Sequence, residues 1–188
     1  MNKLPGQAGF SMIELMIALV VLSVLVSLAV PSYTRMMAEQ RLRQASNELR
    51  MSVSLARSEA IKRNYATRLL PSTAGNWDDG WCVKATTDAS GNPVTVNNCS
   101  ASGVSISDYA LSDSVSMEGQ SSVTSVSFNA WGRTENCPTF QLETSAGDET
   151  CTICVYVSNT GAIVSLPGAC QNGCQTTSDG TSWLESCG

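Results

Sequence analysis

Phe10-Ser11-Met12-Ile13-Glu14-Leu15-Met16-Ile17-Ala18-Leu19-Val20 opens a stretch that continues to Val30, 21 residues with one charged side chain, Glu14. Wound as a helix at about 1.5 Å per residue it spans roughly 31 Å, the thickness of a bilayer core. The nine residues before it, Met1 to Gly9, are short and polar. No small-x-small site follows Val30, so this is not the layout of a cleaved secretory signal, and the apolar helix is expected to stay on the mature chain. A simple signal anchor would explain the length but not Glu14. A carboxylate inside a membrane helix costs a few kcal/mol unless it has a partner, so Glu14 is a functional candidate.

Gly9-Phe10-Ser11-Met12-Ile13-Glu14-Leu15 resembles the prepilin motif of type IV pilins and type II secretion pseudopilins. The resemblance implies that a prepilin peptidase cuts between Gly9 and Phe10 and methylates the new N-terminus at Phe10. It implies that Glu14 then meets the N-terminal amine of a neighbouring subunit during assembly. Two opposite charges are tolerable together in an apolar setting and costly apart, which agrees with that role. Pro31 matches the helix-bending proline of the same family.

Outward from this segment the charge is segregated. Arg35 to Arg68 carries eight basic residues (Arg35, Arg41, Arg43, Arg50, Arg57, Lys62, Arg63, Arg68) against Glu39, Glu48 and Glu59. From Leu69 onward only Lys84 and Arg133 are basic, against twelve acidic side chains. The whole chain of 188 residues has a net charge of −5. Ser32 to Asn64 contains no glycine or proline, and Leu42, Ala45, Leu49, Val53, Ala56 and Ala60 recur at spacings of three and four. That is an amphipathic helix whose stripe should face a head domain. The basic residues off the stripe read as a solvated or subunit-facing surface. A nucleic-acid surface is the weaker alternative, because Tyr65 is the only aromatic near its end.

Ala56-Arg57-Ser58-Glu59-Ala60-Ile61-Lys62-Arg63 resembles the helix end of GspH-type pseudopilins and of the FimT and FimU minor pilins. Trp77-Asp78-Asp79-Gly80-Trp81-Cys82-Val83 is similar to their tryptophan-containing strand, and Val126-Ser127-Phe128-Asn129-Ala130-Trp131-Gly132-Arg133 to a later strand and turn. The likeness runs from Gly9 to about Leu166, is loose between Asn92 and Val123, and leaves the last twenty residues without a counterpart. Packing and turn formation are the preferred roles of the two later motifs over direct binding.

After Leu70 the chain breaks into short β-prone runs. The expected strands are 66–70, 80–86, 93–97, 104–106, 114–118, 123–129, 139–143, 152–158 and 163–166, with hairpin connections at Asp88–Asn92 and Asn159–Gly161. Many short strands with regular turns predict antiparallel sheet, and the fold class is α+β, a pilin-like long helix packed on an antiparallel head. The expected organisation is a leader over 1–9, a transmembrane and filament-core helix over 10–31, its amphipathic continuation over 32–65 and a disulfide-rich β head over 66–188.

Eight cysteines, Cys82, Cys99, Cys137, Cys151, Cys154, Cys170, Cys174 and Cys187, lie in that head. Eight allow 105 connectivities. Cys82 and Cys99 flank the Asp88–Asn92 hairpin and are placed to meet across it. The spacing Cys151-x2-Cys154, fifteen residues, Cys170-x3-Cys174 imitates a four-thiolate zinc site. An exported head meets oxidising conditions, and Cys151 and Cys154 on one strand would face opposite sides, so disulfides are preferred over metal.

The chain has no histidine, which removes every mechanism built on imidazole, and it has no Gly-x-Ser-x-Gly elbow, P-loop or dinucleotide fingerprint. Asp78-Asp79 and Asp148-Glu149 read as solvated turns rather than calcium or acid–base sites. No enzyme, cofactor or metal is expected. The resemblance implies a minor pilin that takes part in pilus assembly or priming, hence twitching motility and adhesion. The alternative it allows is a type II secretion pseudopilin. The implied partners are other pilins or pseudopilins, the prepilin peptidase and the inner membrane, with the head in the periplasm before assembly. DNA capture is disfavoured. Some FimT-like proteins carry a basic Gly-Arg-x-Arg stretch near the C-terminus, where this chain has Gly161-Ala162-Ile163-Val164, and an acidic head opposes phosphate.

Overall fold

The computed structural model describes residues 10–119, 123–134, 137–146 and 149–170. Gly9, Asp148, Cys174 and Cys187 lie outside the described residues. Among the described residues one helix, α1 (Met12–Arg63), is followed by β1 (Thr67–Thr73), β2 (Asn76–Ala85), β3 (Ser105–Tyr109), β4 (Ser116–Gly119), β5 (Val126–Phe128), β6 (Thr139–Ala146), β7 (Glu149–Val157) and β8 (Ile163–Pro167). The strands form two four-stranded antiparallel sheets, ordered β3-β2-β1-β5 and β4-β6-β7-β8. The helix packs against both.

The helical stripe read from the sequence is the spine of the core. Leu42, Ala45, Leu49, Val53, Ala56 and Ala60 are all at most 2% exposed. They meet Leu69, Trp81, Val83 and Phe128 of the first sheet and Phe140, Leu142, Cys151, Val155 and Val157 of the second. Two buried hydrogen bonds fasten helix to sheet: Trp81 Nε1–H donates to Ser52 Oγ at 2.8 Å, and the Thr67 hydroxyl donates to the Ala56 carbonyl at 2.5 Å. Asn64 ends the helix in the left-handed conformation (φ 52°), and Lys62 and Arg63 lie in the last turn, where cations complement the helix dipole.

The expectation of a strand over 93–97 is not met. Among the described residues that segment makes one isolated bridge, Thr87 to Pro93, and then runs across the outer face of β1 and β2. Alternation along these strands puts Leu69 and Val83 toward the helix and Leu70 and Cys82 outward, and the crossing segment covers the outward pair with Val94, Val96, Cys99 and Ala101. The β-like apolar signal of 93–97 therefore reflects burial without pairing, in a run whose first residue has no N–H to donate. Three attachments hold the segment down. Lys84, only 5% exposed, donates from Nζ to the Cys99 and Ala101 carbonyls at 2.6 Å each. Arg68 Nη1 donates to the Val96 carbonyl at 2.8 Å, and Cys82 is bonded to Cys99.

Asp88–Asn92 is the expected tight connection. The Asp88 carboxylate accepts from the Ser90 and Asn92 backbone N–H groups, and these bonds, Asn92's foremost, hold its carboxyl below the usual range. The β1–β2 hairpin closes through Ala74 and Gly75, since Thr73 pairs with Asn76, so both strands extend further than Leu70 and Gly80. Pro71, expected to end β1, lies within it, opposite Trp81.

Candidate assembly site

The first half of α1 is built unlike the second. Every described large apolar side chain from Met12 to Val30 is more than half exposed, with Met12 at 84% and Val26 at 51%. Ser23 and Ser27 donate their hydroxyls to the Val20 and Val24 carbonyls at 2.8 and 2.7 Å. These two hydroxyls are thus satisfied within the helix, as an environment without water requires. This is the one helix among the described residues long and apolar enough to cross a membrane.

Glu14 sits in the first turn of that helix, where its backbone N–H reaches the Ser11 carbonyl at 3.1 Å. Its negative charge lies at the positive end of the helix dipole. Phe10, just outside the helix, is 76% exposed. The helix runs through position 31 without a break. Below the apolar half, Glu39 pairs with Arg35 and Arg43 at 3.6 and 3.7 Å, the start of the basic stretch.

At the other end of α1 the head presents a second feature. Asn129 organises a turn: its side-chain oxygen accepts from the Trp131 and Arg133 N–H groups at 3.0 Å each, and its backbone N–H bonds the Arg133 carbonyl at 2.9 Å. Gly132 (φ 70°) and Gly161 (φ 75°) press this turn and the β7–β8 turn onto Arg57. A Cβ on Gly132 would lie 2.7 Å from Ile61 Cδ1, and one on Gly161 would lie 2.8 Å from Arg57 Cδ. The two roles read from the sequence, packing and turn formation, divide between the motifs: Trp77 and Trp81 pack, 3% and 0% exposed, while 126–133 forms a turn whose Trp131 is 80% exposed. Its neighbours in sequence, Gly132 and Asn129, were the available signal for a turn that would hold it outward.

The cysteines resolve toward disulfides. Cys82–Cys99 and Cys154–Cys170 are bonded, with Cα separations of 5.8 and 5.0 Å, and Cys137 and Cys151 are also disulfide-bonded. Cys151 faces the main core while Cys154 is tied to Cys170, so the two do not converge as a zinc knuckle would require.

A long helix, bare and apolar in one half and buried under antiparallel sheet in the other, defines the pilin-like class of membrane-anchored subunits. The sequence profile described as "Type II transport protein GspH" matches residues 45–161, and that described as "Prokaryotic N-terminal methylation motif" matches residues 4–30. The chain belongs to the GspH family, whose members are structural rather than catalytic subunits of pilus and pseudopilus assembly. The fold is similar to that of the type IV minor pilin FimU of Pseudomonas aeruginosa. One crystal form aligns with a TM-score of 0.52 at 19% identity, over 66% of this chain and 92% of that one. A second form gives 0.52 at 18% identity, over 69% and 90%. The minor pseudopilin EpsH of Vibrio cholerae aligns at 12% identity with a TM-score of 0.46, over 67% of this chain and 96% of that one. No curated protein sequence matches the chain.

Proposed function

We propose that this chain is a minor type IV pilin that takes part in the priming and assembly of the pilus, and through it in twitching motility and adhesion. One observation supports this above the rest: about 20 residues of apolar helix surface stand bare beside a head whose core is already complete. A bilayer covers such a surface first, and the apolar helices of other pilins cover it afterwards.

In this reading residues 1–9 are a leader removed by prepilin peptidase between Gly9 and Phe10, and Phe10 is then N-methylated. Residues 10–31 span the inner membrane once, with the head in the periplasm. Glu14 meets the N-terminal amine of the adjacent subunit as the helix leaves the lipid, and Pro31 marks where the membrane helix gives way to 32–65. The disulfide-rich head over 66–188 is what other pilins contact. A second reading, a pseudopilin of a type II secretion system, is favoured by the family description alone.

The deciding experiment counts surface pili on cells that lack this chain, with a plasmid copy as control. A sharp, complementable loss is expected. Unchanged piliation with lost exoprotein release would move the assignment to the secretion system.

A further inference from the structure

Trp131 is the most exposed large apolar side chain of the head among the described residues, and it is held there by design of its turn. Four backbone groups of the turn are spent on Asn129, and Gly132 locks it against Ile61 and Arg57, so the indole projects from a rigid base. A rigid exposed tryptophan loses little freedom when it is covered, which is the property of an interface anchor. Against the turn lie Ile61, half exposed, and Arg57, and the turn itself carries the exposed Arg133.

The opposite end of the first sheet has the complementary character. Phe128 pairs with Thr67 at the Trp131 end, and Asn76 pairs with Thr73 six residues along β1, roughly 20 Å away at about 3.3 Å per residue. There a cleft of about 650 Å³ is lined by Trp77, Met117 and Val123 together with Asp78, Glu118 and Glu143. No lysine or arginine lines it. Separated by that distance, beyond a Debye length of about 10 Å, the two ends cannot neutralise each other within one head.

Building on the assembly reading above, we propose that the Trp131 turn of one head docks into the acidic cleft of a second copy of this chain, an apolar anchor flanked by Arg57 and Arg133 set against Asp78, Glu118 and Glu143. Two different patches make a head-to-tail contact between neighbouring copies rather than a two-fold dimer. The contact reinforces, outside the membrane, the alignment that the apolar helices impose inside it.

The test uses the full-length chain in its own cells, with the photocrosslinking residue p-benzoylphenylalanine installed at position 131. The expected adduct joins two copies and maps, by mass spectrometry, to the segments holding Asp78 and Glu118. Arg133→Glu in the same chain should lower its yield about ten-fold, and co-expression with a copy carrying Glu118→Lys should restore it. Both side chains are exposed, and thermal unfolding of each variant should match the parent. An adduct confined to other pilins, no adduct, or a yield indifferent to Arg133→Glu would overturn the proposal. If deletion strips the cells of pili and the self-adduct is still missing, the docking fails while the assembly role stands. If piliation never depended on the chain, the assembly role itself has failed.

Discussion

Two halves of one helix follow opposite rules. Between Leu42 and Ala60 the apolar positions recur every three or four residues and disappear under sheet, while Met51 stays exposed. Between Met12 and Val30 apolar side chains face every direction and none of those described is covered. A periodic stripe states that one face has a protein partner within the chain. An all-round apolar surface states that the partner is a medium or a crowd of like helices. The core of the head is filled from within the chain, and the projecting half meets what lies outside it.

The sharpest way to break this contrast is Glu14→Gln. Insertion into the membrane should be unchanged, since a neutral amide is easier to bury. Incorporation into sheared filaments should fall a hundred-fold or more, because an amine left unpaired in an apolar setting costs about 3–5 kcal/mol. Normal incorporation would end the pairing role of that carboxylate.

The same chemical change made in each half tests the contrast directly. Leu49→Ala, at a fully buried position, should destabilise the head by about 2–5 kcal/mol in thermal or denaturant unfolding. Leu19→Ala, at a 56% exposed position, should leave unfolding of the head unchanged. Equal effects would mean that the exposed half packs on something of its own.

Replacing Cys82 and Cys99 together by serine should cost about 3 kcal/mol, the value for a loop of this length. The loss should appear as faster proteolysis of the 93–103 segment, which would still be held by Lys84, Arg68 and the Val94 N–H bond to the Thr86 carbonyl. Gly132→Ala should cost about 1–2 kcal/mol, since alanine is strained at φ 70° and its methyl would crowd Ile61 and Arg57.

The smallest effect concerns acid. The Arg63 side chain, helped by Lys62 and opposed by burial, holds the Glu59 carboxyl below its ordinary value. A folded value below the unfolded one means that the contribution is present above the unfolded value and is lost as pH falls through the folded one. Glu59→Gln should therefore flatten the acid side of the Tm profile by lowering the neutral plateau slightly while leaving the acid end unmoved. An unchanged acid slope would show that Glu59 carries none of it.

The helix was legible in the sequence because its signals are local: an uninterrupted run, a stripe at fixed spacing, a charge where none is affordable. The hairpin at Asn159–Gly161 and the pairing of Cys82 with Cys99 were legible for the same reason, since each closes a short loop. What was not legible is what depends on distant neighbours. Whether β5 joins β1 or β4 is decided by packing across the core, and no turn residue announces it. Pro71 reads as a strand end, yet it is accommodated in β1, where the register shifts between Pro71 and Thr73. Residues 93–97 read as a strand because they are apolar, and they are apolar because they cover one. At the assembly site, Glu14 was visible as an anomaly of composition. Trp131 was not, because an exposed and a buried tryptophan look the same in a sequence.

The uninterrupted course of α1 has a mechanical consequence. A tug on the membrane end of the helix travels along its backbone directly into the middle of the head, with no linker to stretch. The stripe from Leu42 to Ala60 lies along the direction of pull for about 27 Å at 1.5 Å per residue, so its contacts are strained in parallel, as in a lap joint. The cross-pins from Trp81 to Ser52 and from Thr67 to Ala56 oppose sliding of that joint. A head built on such a spine resists traction along its axis far better than peeling from its side.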